Sequence, residues 1–177
     1  MIINRKWAMP SHKTFKIKPI TELILKYVKE NDFVIDPFAN EHSISDKINC
    51  KKYICNDLDK KYSTDYHLEA QDFMKLFGDN SIDLVLFDPP YSGRQVKECY
   101  TKLGKTVTMA DTNSGYFTKF KKEISRIVKP NGICITCGWN TNGVGLKYGF
   151  EIIEILVVAH GSMHNDTLVV VERKKEK

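Results

Sequence analysis

The sequence predicts an α/β domain built on a mostly parallel sheet, with helices on its faces and an antiparallel strand added by a C-terminal hairpin. Short apolar runs, suited to buried parallel strands, alternate along the chain with stretches of helical periodicity. Two longer β-type runs then close the sequence, joined by a polar turn that is typical of a hairpin. The length of 177 residues fits a single domain over residues 1–177.

The individual elements follow from the spacing of apolar side chains. The first helix is indicated by Ile20, Leu23, Ile24, Tyr27 and Val28, which recur at helical spacing with charged residues between them. Helices are predicted at residues 21–29, 43–48, 72–77 and from 114 or 115 to 128. Strands are predicted at residues 33–35, 53–55, 82–87, 133–137, 150–159 and 167–171, with a short strand or turn at 67–70.

Two stretches show no clear period. Residues 1–13 are polar and mixed, and we predict a flexible arm that Trp7 is able to anchor. Residues 92–113 are predicted to be a mobile loop, because loops of this length in compact domains are usually functional or mobile. The basic side chains of this second stretch are Arg94, Lys97, Lys102 and Lys105.

Composition narrows the class of protein. A hydrophobic fraction of 42% with 28% charged residues is ordinary for a globular chain, and a net charge of +5 is compatible with a polyanionic partner without requiring one. No apolar run approaches membrane-spanning length, and the N-terminus lacks the apolar core of a signal peptide. We therefore expect a cytoplasmic protein without a membrane partner.

The cysteines and histidines favour structural roles. Five cysteines without dense spacing argue against a disulfide framework. Cys134 and Cys137 form a C-x-x-C pattern, but they lie inside a predicted strand without a second such pair, so buried thiols are expected and no metal site is predicted. His160 and His164 flank the hairpin turn and are expected to form structural hydrogen bonds.

The most informative segment is an apolar strand that ends in an acid, two prolines and an aromatic residue. Residues 82–87 are apolar apart from one acid, and Asp88-Pro89-Pro90-Tyr91 follows directly. Proline fixes φ, lacks an N–H and holds the preceding residue extended, so the strand ends stiffly with unpaired carbonyls. In an open α/β sheet this places a carboxylate, carbonyl groups and an aromatic ring at the carboxyl edge, where such sheets bind ligands.

These four residues suit chemistry on the exocyclic amine of a nucleobase. Such an amine is a poor nucleophile because its lone pair is conjugated into the ring. The Asp88 carboxylate and the Pro89 carbonyl are able to hold both amine hydrogens and draw the nitrogen toward tetrahedral geometry, while Tyr91 stacks on the base. The alternative is that the tetrapeptide only breaks the chain after a strand.

Further acids follow the other predicted strands. Asp36 and Asp57 each stand just past a short apolar run, as Asp88 does, and Asp72 stands at the start of a helix between the last two. In a doubly wound sheet such positions line up beside the topological switch point, which favours a nucleoside-containing ligand. The chain has no Walker A loop and no G-x-G-x-x-G after Ile35, which argues against P-loop and nicotinamide enzymes.

With these motifs in place, the sequence resembles the small phage- and prophage-type adenine-specific DNA methyltransferases, which are amino-methyltransferases dependent on S-adenosyl-L-methionine. Asp88-Pro89-Pro90-Tyr91 matches their catalytic motif and is the most specific part of the resemblance, which covers nearly the whole chain. The resemblance implies a Rossmann-like class I methyltransferase fold with a seven-stranded, mostly parallel sheet. It also implies base flipping, methyl transfer to N6 of adenine in DNA, and no metal.

The resemblance assigns site residues. The cofactor contacts that it implies are Phe15, Lys18, Asp36, Pro37, Phe38, Asn40, Asp57, Asp72, Phe73 and Asp88. This chain reads Ala39-Asn40-Glu41-His42 where the family usually has glycines after Asp-Pro-Phe, and an asparagine is able to supply the positive φ of such a turn.

Sequence recognition is expected from residues 92–118, the N-terminal arm or the loop of Trp139, and the substrate contacts are expected in the first and last of these. These contacts are Ser92, Arg94, Tyr100, Lys105, Trp139 and Asn140. The same planar nitrogen chemistry leaves RNA or a protein amide open as the substrate, and a non-catalytic nucleic-acid-binding or partner-activated subunit with this fold is a further alternative.

Overall fold

A computed structural model describes residues 1–41, 44–113, 115–161 and 163–176. The strands are β1 Ile2–Trp7, β2 Phe33–Asp36, β3 Lys52–Cys55, β4 Ile82–Phe87, β5 Val128–Gly138, β6 Phe150–Ala159 and β7 Thr167–Lys174. The α-helices are α1 Lys18–Tyr27, α2 Ala70–Lys75, α3 Gly93–Lys102, α4 Met109–Thr112 and α5 Tyr116–Ile127. Short 3₁₀ turns cover Thr14–Lys16 and Leu146–Tyr148.

Within the described residues the seven strands form one sheet in the order β1-β6-β7-β5-β4-β2-β3. Every pairing is parallel except those of β7, which runs antiparallel to both β5 and β6. The predicted α/β class, the mostly parallel sheet and the antiparallel C-terminal strand are confirmed. The carboxyl ends of β1, β2, β3, β4, β5 and β6 therefore lie along the same edge of the sheet.

Apolar side chains cover both faces of the sheet. One cluster joins α2, α3 and α5 to the sheet and includes Phe73, Phe120 and Ile124, all at most 2% exposed. The other joins α1 to the opposite face and includes Ile20, Ile24 and Leu86. Helix α1 begins with Pro19 in its first turn, where the missing N–H of proline is tolerated. Burial of these two faces fixes the strand ends that carry the site.

The prediction of a flexible arm over residues 1–13 is wrong for residues 2–7. These residues form β1, which pairs in parallel register with β6 from Ile2 opposite Glu154 to Trp7 opposite Ala159. The Asn4 side chain donates a 3.0 Å hydrogen bond to the Glu154 carboxylate, and Lys26 of α1 contacts the same carboxylate at 2.6 Å. The N-terminus is therefore tied both to the sheet and to α1.

Residues 92–113, predicted to be a mobile loop, contain two helices, α3 and α4. Helix α3 begins after Ser92, whose hydroxyl accepts the backbone N–H of Gln95, and it buries Val96 and Tyr100 one turn apart. Helix α4 begins with a capping box between Thr108 and Asp111.

Other boundaries shift less. The helix predicted at 43–48 is not found in the described residues 44–48: residues 44–47 make a turn. Ser43, the first residue of that prediction, lies outside the described residues. The predicted helix at 72–77 begins two residues earlier, at Ala70, and β5 extends from Val128. Residue 114, one of the two predicted starts of the last helix, also lies outside the described part of the chain.

Within the described residues, no helix has the length and apolar character needed to cross a membrane. Nor does that part of the chain hold a group of three or more His, Cys, Asp or Glu side chains arranged for a metal ion. Cys134 and Cys137 are buried free thiols of β5.

Candidate active site

A cavity of about 630 Å³ opens at the carboxyl edge of the sheet. Segment 11–15, which leads into α1, forms one wall, and the turn 37–40 after β2 forms another. Asn56 and Asp57 after β3, residues 68–70, the motif after β4 and one face of α3 complete the lining. The cavity thus collects the chain segments that follow three adjacent parallel strands, as expected for a ligand site in an open α/β sheet.

Asp88 lies in this cavity and is bound by Tyr91. The Tyr91 hydroxyl donates a 2.6 Å hydrogen bond to Oδ1 of Asp88, and the Tyr91 backbone N–H donates to Oε1 of Gln95 at 2.5 Å. Burial raises the pKa of Asp88 above its ordinary value, while hydrogen bonds from Tyr91 and from the Thr14 side chain act in the opposite direction. Within the motif, one carboxylate oxygen of Asp88 is therefore already hydrogen-bonded to Tyr91.

The turn after β2 is held by Asp57. Oδ2 of Asp57 accepts the backbone N–H of Asn40 at 3.1 Å, and Oδ1 accepts the N–H of Asp59 at 2.8 Å. Asn40 takes the left-handed backbone conformation, with φ of 54°, so an asparagine supplies the positive φ that a glycine gives in similar turns. Burial raises the pKa of Asp57 against these two backbone hydrogen bonds.

Asn40 also carries an unsatisfied acceptor. Its Oδ1 atom is buried and has no hydrogen-bond partner, the only such side-chain atom found in the described residues. Buried acceptors without a donor are costly, by about 1–3 kcal/mol, so they are uncommon in folded proteins. Asn40 lines the cavity, but this oxygen itself is closed off from solvent, so a ligand donor reaches it only if the side chain rotates.

Asn56 joins two walls of the cavity. Its side-chain amide donates to the backbone carbonyls of Pro37 and Leu68, at 3.1 and 3.0 Å, and its Oδ1 accepts the Leu68 N–H at 2.8 Å. The side chain is 1% exposed. These three hydrogen bonds fix the distance between the turn after β2 and the segment that precedes α2.

Asp36 is fully buried and does not line the cavity. Its carboxylate accepts the backbone N–H of Phe38 and the hydroxyl of Tyr53, each at 3.1 Å. Burial, together with the nearby carboxylates of Asp88 and Asp57, raises the pKa of Asp36 well above its ordinary value. Asp36 therefore holds the turn 37–40 through its hydrogen bond with Phe38, although its own side chain lies beneath the cavity wall.

Sequence comparisons find no match to this chain, neither to any protein-family description nor to any curated protein. Solved structures are similar in fold. TrmN from Thermus thermophilus is 15% identical with a TM-score of 0.60, over 89% of this chain and 49% of its own length. An S-adenosylmethionine-dependent methyltransferase from Methanosarcina mazei is 12% identical with a TM-score of 0.59, over 88% and 98%. The 1,6-didemethyltoxoflavin-N1-methyltransferase of Burkholderia thailandensis, solved with S-adenosylhomocysteine, is 11% identical with a TM-score of 0.60, over 90% and 78%.

The chain has the Rossmann-like fold of methyltransferases. At identities of 11–15% these similarities concern the fold, and the chemistry has to be argued from the site itself.

The structure brings most of the predicted cofactor residues to this cavity of the methyltransferase fold. They are Phe15, Pro37, Phe38, Asn40, Asp57 and Asp88. Lys18 points away, with its side chain 87% exposed and 4.0 Å from Glu22. Asp72 is exposed and pairs with Lys75 at 2.9 Å, and Phe73 is buried in the core. Glu69 and Ala70, one turn earlier, occupy the cavity wall instead.

The predicted substrate residues divide between the cavity and its surroundings. Tyr100 lines the cavity, and its hydroxyl donates to Glu69 at 2.8 Å. Lys105 contacts the same carboxylate at 2.6 Å. Trp139 lies outside the lining but packs edge-on against the Tyr91 ring, with 5.7 Å between centroids.

The other substrate predictions fall on surface or capping positions. Ser92 caps α3, and Arg94 is exposed beside Glu98, with Nε 2.9 Å from the carboxylate. Asn140 is exposed and accepts the N–H of Asn142 through its side chain. His160 forms the expected structural hydrogen bonds, to the Ala8 carbonyl and the Thr167 hydroxyl, each at 2.8 Å.

Sequence reasoning missed four side chains that shape the cavity: Thr14, Asn56, Glu69 and Gln95. Gln95 stands four residues after Tyr91, a spacing at which a helix N-terminus turns back toward the preceding loop, and a helix assignment would have identified it. Glu69 has no local signal, because its partners Tyr100 and Lys105 are more than 30 residues away in sequence.

Proposed function

We propose that this protein is an S-adenosylmethionine-dependent methyltransferase that transfers a methyl group to the exocyclic N6 of adenine in DNA. The observation that carries the proposal is that Asp88, Pro89 and Tyr91 line the same cavity as Asp57 and Asn40. An amine-binding motif and a nucleoside-binding turn therefore open into one space. The cytoplasm of a bacterial or phage-infected cell is the proposed site of action.

The chemistry of the cavity fits the proposed cofactor. Asp57 stands after β3, where a carboxylate suits ribose hydroxyls, and the unsatisfied Oδ1 of Asn40 offers an acceptor for a cofactor donor once its side chain rotates. Leu68 and Ala70 give the adjacent wall an apolar surface for a purine. Asp57 and Asp88 place two acidic side chains in the cavity wall, which favours a ligand with positive charge.

Bound in this cavity, S-adenosylmethionine would supply an electrophilic methyl group on a sulfonium centre. The role of Asp88 is to accept one hydrogen of the target amine, while the Pro89 carbonyl accepts the other. The resulting loss of conjugation makes the amine nitrogen a better nucleophile. After transfer, the surplus proton on nitrogen is acidic and leaves to water or to Asp88.

Tyr91 has to change partners for this reaction. In the structure its hydroxyl donates to Oδ1 of Asp88, the atom proposed to accept an amine hydrogen. Substrate entry would exchange that hydrogen bond for one from the amine and leave the aromatic ring free to stack on the extruded base. Trp139, packed against the ring edge, limits where Tyr91 can move.

The test is methyl transfer by the purified chain, followed by digestion of the DNA to nucleosides and detection of N6-methyladenine by mass spectrometry. Asp88→Ala is expected to reduce transfer by about 10³-fold or more while S-adenosylhomocysteine still binds in calorimetry. Asp46→Ala, which removes an exposed carboxylate, is the matched control and should transfer normally. Undiminished transfer by Asp88→Ala would refute the assignment.

The same assay separates the alternative substrates. Methylated adenosine from RNA, or a methylated glutamine side chain in a protein hydrolysate, would keep the enzyme class and change the substrate. Failure to bind S-adenosylhomocysteine would favour a non-catalytic subunit. The left-handed conformation of Asn40 supports a formed cofactor turn and counts against that last possibility.

A further inference from the structure

The excess positive charge of this protein is concentrated at its N-terminus. The first 21 residues contain no Asp or Glu, and their cations are Arg5, Lys6, Lys13, Lys16 and Lys18. The whole chain has 27 basic and 22 acidic side chains, with a net charge of +5, so the rest of the protein is neutral on balance. A polyanion is therefore attracted to one segment rather than to the whole surface.

Three of these cations are available to a partner. Lys13 contacts Glu41, and Lys18 lies 4.0 Å from Glu22. Arg5, Lys6 and Lys16 are exposed, and none of them forms an ion pair with another residue of the described chain. Arg5 and Lys6 can bind a phosphate without giving up an ion pair, and Lys16 lies near Glu41 without forming one.

The segment leads directly to the cavity. Strand β1 runs parallel to β6 and ends at the carboxyl edge of the sheet, where Trp7 stands opposite Ala159. The chain then crosses this edge, and residues 11–15 form a wall of the cavity. Lys16 follows immediately, in the short 3₁₀ turn Thr14–Lys16. Arg5 and Lys6 therefore lie on the edge strand β1, and Lys16 lies next to the wall of the cavity.

Both tryptophans of the chain lie on the same edge and are accessible. Trp7 is 65% exposed and Trp139 is 41% exposed, although large aromatic side chains normally bury most of their surface. Trp139 follows the last residue of β5, and Trp7 is the last residue of β1. Three strand spacings separate β5 from β1, so the two positions are about 14 Å apart across the sheet. Tyr91 of the proposed base pocket contacts Trp139.

We infer that this edge binds a single-stranded segment of DNA beside the target base. The DNA strand stacks on Trp139 and Trp7 and places its phosphates on Arg5, Lys6 and Lys16. Because Arg5 and Lys6 project to opposite faces of β1, the DNA passes around the open edge of that strand. Exposed aromatic rings beside free cations are the arrangement by which proteins bind single strands, because stacking accepts any base. The inference deepens the proposed function, on which it rests for the identity of the target base. The binding itself requires no methyl transfer.

Charge favours DNA over a second copy of this chain. The outer edge of β1 is open to another strand, and Ile2, Ile3 and Trp7 are exposed along it. A second copy of β1, however, brings the same cations and no acid within its first 21 residues, so it offers this segment no complementary charge. A polyanion neutralises the same side chains.

Intrinsic fluorescence tests the inference, because Trp7 and Trp139 are the only two tryptophans. Trp139→Phe leaves Trp7 as the sole reporter, and Trp7→Phe leaves Trp139. A single-stranded, adenine-containing oligonucleotide of about 12 nucleotides should quench both reporters, and a blunt duplex of the same sequence should quench Trp7 much less. Trp7→Ala should weaken binding of the single strand by about tenfold.

Removal of charge gives a second readout. The triple variant Arg5→Gln, Lys6→Gln, Lys16→Gln should bind the single strand more weakly and reduce the slope of log K against log salt concentration by about 2. The matched control is Lys29→Gln, Lys51→Gln, Lys147→Gln, which removes three exposed lysines from the opposite edge of the sheet and should keep the original slope.

Each outcome decides between specific alternatives. Quenching of both reporters without any methylation of DNA would support the binding surface and refute the proposed reaction. Methylation of adenine with an unresponsive Trp7, or an unchanged salt slope in the triple variant, would overturn the inference alone. A Trp7 signal that changes on dilution without DNA, together with a dimeric mass, would assign the β1 edge to a second copy.

Discussion

The hydroxyl of Tyr91 donates a 2.6 Å hydrogen bond to Oδ1 of Asp88. The two side chains that the proposed reaction needs most are thus bound to each other. A buried carboxylate without a donor is costly, and this hydrogen bond satisfies one of its oxygens. In the proposed reaction the amine of the substrate replaces the tyrosine at this oxygen.

Substitution of Tyr91 separates the function of its ring from that of its hydroxyl. Tyr91→Ala should lower kcat/KM by about 10- to 100-fold, since a stacked base contributes about 1–3 kcal/mol. Tyr91→Phe should keep most of the activity. Because the Tyr91 hydrogen bond lowers the pKa of Asp88, its removal should move the acidic limb of the pH–rate profile to higher pH. Equal activity of the Ala and Phe variants would contradict stacking.

The binding of S-adenosylhomocysteine tests which predicted acid belongs to the cofactor site. Asp57→Asn should raise the Kd for S-adenosylhomocysteine by about 10- to 100-fold, because the carboxylate both orders the Asn40 turn and lines the cavity. Asp72→Asn, at a position that the sequence also predicts but that lies on the surface beside Lys75, should bind normally. Calorimetry on both variants checks this, and an equal loss would mean that the cofactor site extends along α2 to Asp72.

The sequence predicts the strand ends well because buried parallel strands carry a local signature. Runs such as residues 82–87 are apolar, and the prolines that follow end them without ambiguity. The predicted ends of β3 and β4 are therefore exact and that of β2 is one residue short, and Asp36, Asp57 and Asp88 come to the same edge of the sheet.

Strand β1 has no such signature, because an edge strand that is exposed on both faces shows no alternation of polarity. Its structure depends on pairing with β6, about 150 residues away in sequence. Helix α3 is missed for a related reason. Only Val96 and Tyr100 are buried on it, too few for a visible period among polar neighbours. The cap at Ser92 was the available local signal.

Asn40 offers a test of both backbone strain and ligand contact. Asn40→Gly and Asn40→Ala both delete the unsatisfied Oδ1, but only glycine takes the positive φ at no steric cost, so Asn40→Ala should be less stable than Asn40→Gly by about 1–2 kcal/mol. Both variants should also weaken S-adenosylhomocysteine binding several-fold. Urea unfolding and calorimetry measure the two effects separately. Unchanged binding in Asn40→Gly would show that the amide does not contact the ligand.

The pH dependence of stability follows from Asp36. Burial raises the pKa of this carboxyl well above its unfolded value. At pH values between the two pKa values, the carboxyl is therefore protonated in the folded chain and ionised in the unfolded chain. Stability from this group is therefore greatest below about pH 4 and falls as pH rises through the folded pKa. In Asp36→Asn the amide oxygen can still accept the Phe38 N–H, and the amide nitrogen can donate to the Tyr53 hydroxyl.

Asp36→Asn should accordingly be more stable than the parent near neutral pH, by at least about 1 kcal/mol, with a flatter dependence on pH. Urea unfolding at intervals between about pH 4 and about pH 8 measures this. Asp46→Asn, on the surface, controls for the loss of a carboxylate and should follow the parent curve. Parallel curves for Asp36→Asn and the parent would mean that Asp36 is ionised in the folded protein, held by Phe38 and Tyr53 despite its burial.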